Sequence, residues 1–244
     1  MLALTMAAVL PVLAQAQGGG RGGPPPNPKA AAPIDLTGYW VSVVTEDWRY
    51  RMVMPAAGDY QGVPMTAAAI KVARGWDPAK DEASADQCKS FGAPSLLRVP
   101  GRLHITWQDD QTLHMDADAG KQSRVFHFGE WKAPAGPLTL QGDSVAEWDI
   151  QRGGGRQAEG GSLKVTTSHL KGGYLRKNGV PYSDNTGLTE YYDLVTERNG
   201  DVLLVVTSVI TDPVYLREPF IISTHFRKQA DDKGWNPTAC TAKW

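Results

Sequence analysis

The sequence predicts an all-β fold, an antiparallel barrel forming one domain of an exported chain. Three observations predict it. Short alternating runs of β-branched and aromatic residues recur from residue 36 to residue 227, separated by Gly, Pro, Asn and Asp. One segment alone carries a helical pattern with recognisable ends. The chain also opens on sixteen uncharged, mostly apolar residues ending in Ala14-Gln15-Ala16, a small-x-small triplet.

Residues 1–16 read as a signal peptide, because the apolar run is too short for a permanent membrane helix. No Lys or Arg precedes that run, and a start further upstream would supply the usual basic end. Residues 17–33, QGGGRGGPPPNPKAAAP, have nothing to bury and read as a disordered tether. Residues 34–244 remain for the barrel domain, a size at which about 70% of the unfolded surface is buried without a metal. The formal charge of −1 provides no field for nucleic acid and no attraction to an anionic membrane. No later segment is apolar enough for stable membrane insertion.

Strands are expected at 39–44, 47–53, 96–99, 103–108, 112–118, 123–128 and 138–141. The later ones are expected at 144–150, 163–169, 188–195, 202–210 and 220–227. Thr66 can cap one short helix over 67–74, which stops at Gly75. That helix sits in a long flap, residues 63–94. The Gly-rich insert at 152–161 has a β pattern rather than a helix after it, so it reads as a hairpin tip and not a phosphate loop. Cys88 and Cys240 are the two cysteines of an exported chain, and an oxidising compartment favours a disulfide between them.

The stretch 102–118 is the most informative. A three-residue loop at Asp109-Asp110-Gln111 pairs Trp107 with Leu113, Ile105 with Met115 and Leu103 with Ala117. Thr106 with His114, His104 with Asp116, and Arg102 with Asp118 then share the opposite face. Continuing the register brings Asp118 to Arg124 and places His127 opposite Met115. Such a sheet has either a core side and a water side, or an apolar outside around a polar lumen. The five histidines fall in no ligating spacing, and no metal or cofactor is expected. No GxSxG elbow occurs, and Gly142-Asp143-Ser144 lacks the helix a nucleophile turn needs. Carboxylate pairs such as Glu46/Asp47 and Asp116/Asp118 read as solvated.

The second half carries a resemblance. Ser144 to Asp149 (SVAEWD), Leu163 to Leu170 (LKVTTSHL), Leu188 to Val195 (LTEYYDLV) and Val205 to Phe220 together resemble a large family of secreted bacterial proteins without assigned activity. WDPAKDE from Trp76, RVPGRLHITW from Arg98 and RKNGVPYS from Arg176 also have counterparts in its closest subgroup. The resemblance implies a lipocalin-like (calycin-like) barrel and a periplasmic or secreted address, and no particular activity. The insert at 150–161 departs from the family's short turn.

The leading functional expectation is a carrier or sensor of a small aromatic or amphipathic molecule. Arg102, Asp118 and Arg124 would form a charged cluster gripping its polar end, Tyr192 would share that cavity with Glu190, and Trp40, Trp48 and Trp148 would form the walls. The alternative is a cofactor-free lyase, isomerase or hydrolase in which His225 or His104 moves a proton and Glu190 orients it. A structural envelope protein is the third.

Overall fold

The computed structural model describes residues 27–152 and 158–242. The expected signal peptide, residues 17–26 of the expected tether and the tip of the Gly-rich insert lie outside the described residues. In chain order the strands are β1 (Gly38–Val43), β2 (Arg102–Trp107), β3 (Thr112–Ala117), β4 (Ala119–Gly120), β5 (Gln122–Phe128), β6 (Asp143–Arg152), β7 (Ala158–Ser168), β8 (Gly173–Arg176), β9 (Val180–Tyr182), β10 (Gly187–Thr196), β11 (Val202–Thr211), β12 (Phe220–Gln229) and β13 (Thr238–Ala239). Four short helices accompany them: α1 (Trp48–Arg51), α2 (Ala67–Arg74), α3 (Pro78–Ala83) and α4 (Ala93–Leu96).

Nine of these strands close a barrel in the order β1-β12-β11-β10-β7-β6-β5-β3-β2. Closure removes the unpaired edges that an open sheet would expose. Every neighbouring pair is antiparallel except β5 and β6, where Phe126 pairs with Ser144 and Phe128 with Ala146. A parallel pair needs a crossover rather than a hairpin, and residues 129–142 supply it by running back along the wall.

The period-2 alternation sends one face of each strand inward. Trp40, Leu103, Ile105, Leu113, Met115, Phe126, Leu163, Val165, Tyr192, Leu204, Val206 and Phe226 are all buried in one continuous cluster. The hairpin register expected for 102–118 is the one observed, Leu103 opposite Ala117, Ile105 opposite Met115 and Trp107 opposite Leu113. Of the two possible wall orientations, the apolar face is the one turned inward.

The two ends of the barrel are covered differently. At the end where β1 stops and β2 starts lie residues 44–101, which include the expected flap at 63–94, and the β8–β9 hairpin. There Met65, Ala69, Ala93, Leu175, Val180, Tyr182 and Leu216 pack on Leu188, Ile210 and Phe220 as a second cluster. At the opposite end Trp107, Phe128 and Trp148 meet with centroids 5.4–6.5 Å apart. Residues 27–33, expected as part of the tether, dock there instead. Trp148 Nε1 donates to the Pro28 carbonyl at 2.8 Å, and Asn27 donates to Asp110 at 2.8 Å.

Helix α2 forms where the sequence placed it, with the Thr66 hydroxyl accepting from the Ala69 N–H at 3.2 Å. Three expected strands are absent from the described residues. Residues 47–53 contain α1, residues 96–99 continue from α4, and residues 138–141 make only an isolated bridge from Thr139 to Leu170. Cys88 and Cys240 are bonded, Cα atoms 5.0 Å apart across 152 residues. The tail that carries Cys240 first adds β13 alongside β4.

Candidate functional site

Among the described residues a polar node lies inside the barrel. Arg124 on β5 and Glu190 on β10 are fully buried and meet in a bidentate pair, Nη1 to Oε1 at 2.9 Å and Nη2 to Oε2 at 2.6 Å. Arg124 Nη2 also donates to the Thr167 hydroxyl at 3.1 Å, which lies 2.8 Å from that of Ser144. Burial alone would weaken the guanidinium's hold on its proton; Glu190 and Tyr192 together outweigh it and the pKa is raised. Burial, reinforced by Glu190, pushes the Tyr192 phenol well up, so it stays protonated. Two opposite charges in such a place neutralise each other, although Arg124 Nε has no acceptor among the described residues. This node braces the wall between β5, β7 and β10.

The cap at the flap end is different in kind. Arg51 on α1, Arg98 just after α4, and Arg176 and Lys177 at the end of β8 line one partly open cavity of about 20 Å³, with Tyr50, Ser90 and Ser95. All four basic side chains belong to buried residues. Among the described residues the carboxylates in contact with the three guanidiniums are two adjacent ones. Glu46 pairs with Arg51; Asp47 pairs with Arg98 at 2.9 Å and lies 3.9 Å from Arg176. Asp47 is in the left-handed region, φ 50°, a conformation that Asp tolerates better than most residues. Among the described residues three guanidiniums meet two carboxylates here, and burying cations is costly unless they are paired or hydrogen-bonded.

Local structure explains how the cations are held. Arg51 Nε donates to the Arg98 carbonyl at 2.9 Å and Nη2 to that of Leu97 at 3.4 Å, so a guanidinium caps the carbonyl end of α4. Arg176 Nη1 donates to the Gln61 carbonyl at 2.7 Å, and its carbon lies 4.1 Å above the Tyr50 ring. The Lys177 ammonium lies 4.5 Å over the Phe91 ring. Arg98 Nη2 and Arg176 Nε have no acceptor among the described residues. Burial weakens the hold of these groups on their protons. Burial lowers Arg51; burial with nearby Arg98 lowers Arg176 to about 10; burial lowers Lys177 to about 8.

The residues predicted from sequence scatter across the fold. Arg102, Asp118 and Arg124 do not form one cluster. Asp118 is buried and accepts from the Arg102 backbone N–H at 2.7 Å, while Arg124 points into the barrel at Glu190. Glu190 and Tyr192 do share the interior face, as expected. His225 faces outward, its Nδ1 3.3 Å from Glu46 and 3.2 Å from Thr45. His104 is also outside, stacked on Tyr39 with ring centroids 4.1 Å apart. Neither histidine shares a cavity with Glu190. His127 pairs with Thr112, not Met115, and stacks outside on Trp131 at 3.9 Å.

The three expected tryptophan walls separate as well. Trp40 is sealed in the core with Nε1 bonded to the Leu36 carbonyl, Trp148 lies at the far end, and Trp48 stands exposed on α1. Among the described residues no group of three or more His, Cys, Asp or Glu is placed to hold a metal.

Sequence reasoning passed over Arg51, Arg98, Arg176 and Lys177. One available signal was Asn178-Gly179, a hairpin turn dipeptide that sets Arg176 and Lys177 at the tip of β8–β9. The other was the Glu46/Asp47 pair, read as solvated and in fact the counter-charge of the cap.

Comparisons with family models, with curated proteins and with solved structures yield no significant match for this chain.

Proposed function

We propose that this chain is an exported binding protein that uses its barrel as a rigid scaffold and recognises a small anionic group in the cap. One observation carries the reading: the guanidiniums of Arg51, Arg98 and Arg176 converge on one cavity, which Lys177 also lines, and among the described residues the carboxylates in contact with them are Glu46 and Asp47. Among the described residues Arg98 Nη2 and Arg176 Nε lack an acceptor, and guanidinium donors suit carboxylate, phosphate and sulfate. The barrel lumen is a poorer place for a ligand, since the inward side chains of its strands pack into one continuous buried cluster. Export agrees with the Cys88–Cys240 bond, which persists in an oxidising compartment.

Thermal unfolding in the presence of acetate, phosphate and sulfate tests this. A ligand at a hundred times its Kd adds about 2.7 kcal/mol, which for a domain of this size raises the Tm by about 5–10 °C. Arg98→Gln and Lys177→Met should each remove most of that shift. Absence of a shift from any of the three anions at tens of millimolar, with ionic strength held constant, would sink the reading.

A further inference from the structure

Asp47 stands at the N-cap position of α1, where a carboxylate ordinarily accepts from the first free N–H groups of its helix. Its side chain makes no capping bond. The Oδ2 oxygen is turned to two guanidiniums instead, 2.9 Å from Arg98 Nη1 and 3.9 Å from Arg176 Nη2.

Each guanidinium meets that oxygen with one arm of a two-armed edge. At Arg98 the neighbouring arm is Nη2, and at Arg176 it is Nε; neither has an acceptor among the described residues. A guanidinium binds a carboxylate or phosphate most tightly through two parallel N–H groups at once. An incoming anion can therefore give either fork what one shared oxygen does not. The exposures decide which partner yields. The Asp47 side chain is 35% exposed and can turn out into water, whereas those of Arg98 and Arg176 are 6% and 1% exposed. Arg176 is also held by its bond to the Gln61 carbonyl.

We infer that Asp47 is a built-in competitor for the anion site, its carboxylate holding Arg98 and Arg176 until a small anion takes both arms of a fork and displaces it. This rests on the anion-binding reading above and adds what sets the affinity there. A ligand that must wait for an internal group to leave binds more weakly, in proportion to the fraction of time that group is away. Asp47 thereby sets a threshold concentration, below which the arginines keep their own carboxylate.

The test titrates acetate by calorimetry, at constant ionic strength, into the parent protein and two variants. Asp47→Asn removes the competing charge and leaves a residue that tolerates the left-handed backbone at this position. If Asp47 is in place about nine-tenths of the time, the variant should bind acetate about tenfold more tightly. Asp59→Asn removes the same charge from a carboxylate that also acts on Arg176 but pairs with the exposed Arg49. That variant should gain less than about twofold, because salt screens a charge out of contact. In the parent, acetate should also speed hydrogen exchange at the Tyr50 amide, which donates to the Asp47 carbonyl at 2.8 Å, since the turn loses its side-chain anchor.

Unchanged or weaker affinity in Asp47→Asn, with the parent still binding, would overturn the inference and leave the anion reading intact. Equal tightening by both variants would reveal a general charge effect and no displacement, which also sinks it. Should Asp47→Asn not fold, exchange in the parent decides: a Tyr50 amide that acetate slows or leaves unchanged means that Asp47 stays in place, and the inference fails. Binding of acetate by none of the three proteins would remove the anion reading itself.

Discussion

Burial draws the Lys177 ammonium down to about 8, within a range that can be swept without unfolding most proteins. In the unfolded chain the same amine titrates near 10.4. Between those values the unfolded state holds a proton that the native state has released, so this group makes the fold more stable as pH rises through that window. Anion binding has the opposite sense, because it needs the ammonium. Affinity for acetate or phosphate should hold steady below pH 7 and weaken as pH passes 8, and Lys177→Met should flatten that decline. Calorimetric titrations at pH 6.5 and 9 decide it; unchanged affinity in the parent protein would remove Lys177 from the site. Arg124 invites the contrary experiment. Removing one partner of a buried pair strands the other charge at a cost of about 3–5 kcal/mol. Arg124→Ala should show that loss in urea unfolding and retain its affinity for the anion. Weakened binding at unchanged stability would return Arg124 to the ligand site. At this scale the sequence was partly legible. That Arg124 and Glu190 belong to strands could be read from their neighbours, whereas their meeting across the lumen depends on barrel closure, which no local pattern records.

The elements divide by how local their causes are. The 102–118 hairpin could be read in full because a slip of one residue would move every apolar side chain to the wrong face, and the observed pairs match. Helix α2 could be read because its start and stop are written in neighbouring residues, Thr66 and Gly75. The segment 47–53 misled for the same reason in reverse. Its aromatic and aliphatic residues alternate like a strand, yet here tertiary contacts decide. Arg51 must reach the Leu97 and Arg98 carbonyls while Asp47 reaches Arg98, and one helical turn puts both side chains on the cap. The third-strand register failed at the turn through β4. Gly120 and Lys121 both take positive φ there, and the shift places Arg124, not His127, opposite Met115. Gly179 is required on two counts: its φ is +81°, and a Cβ would lie 2.2 Å from that of Trp76. Trp76 thereby seats the hairpin that presents Arg176 and Lys177.

At the scale of the whole molecule, the site joins residues near 50, 98 and 176, which are neighbours only once the barrel has closed and the flap has folded down. The Cys88–Cys240 bond acts on that assembly. Cys88 immediately precedes the 3₁₀ turn Lys89–Phe91, whose Ser90 lines the cavity and whose Phe91 lies under Lys177. Cys240 follows β13, which pairs with β4 beside β5. The bond therefore ties the flap to the barrel wall through the tail. A closed loop of 152 residues is worth about 5 kcal/mol in the chain-entropy account. Replacing both cysteines with serine should lower the urea midpoint accordingly. It should leave the far-ultraviolet signature of the barrel intact at 25 °C, since the nine-strand ladder closes without the tail. The cap should suffer more than the barrel, with anion affinity falling several-fold as Ser90 and Phe91 lose their anchor. Unfolding curves and acetate titrations of the double variant beside the parent measure the two effects separately. If the midpoint falls while the affinity is unchanged, the flap holds its shape by packing alone, and the bond serves stability without serving the site.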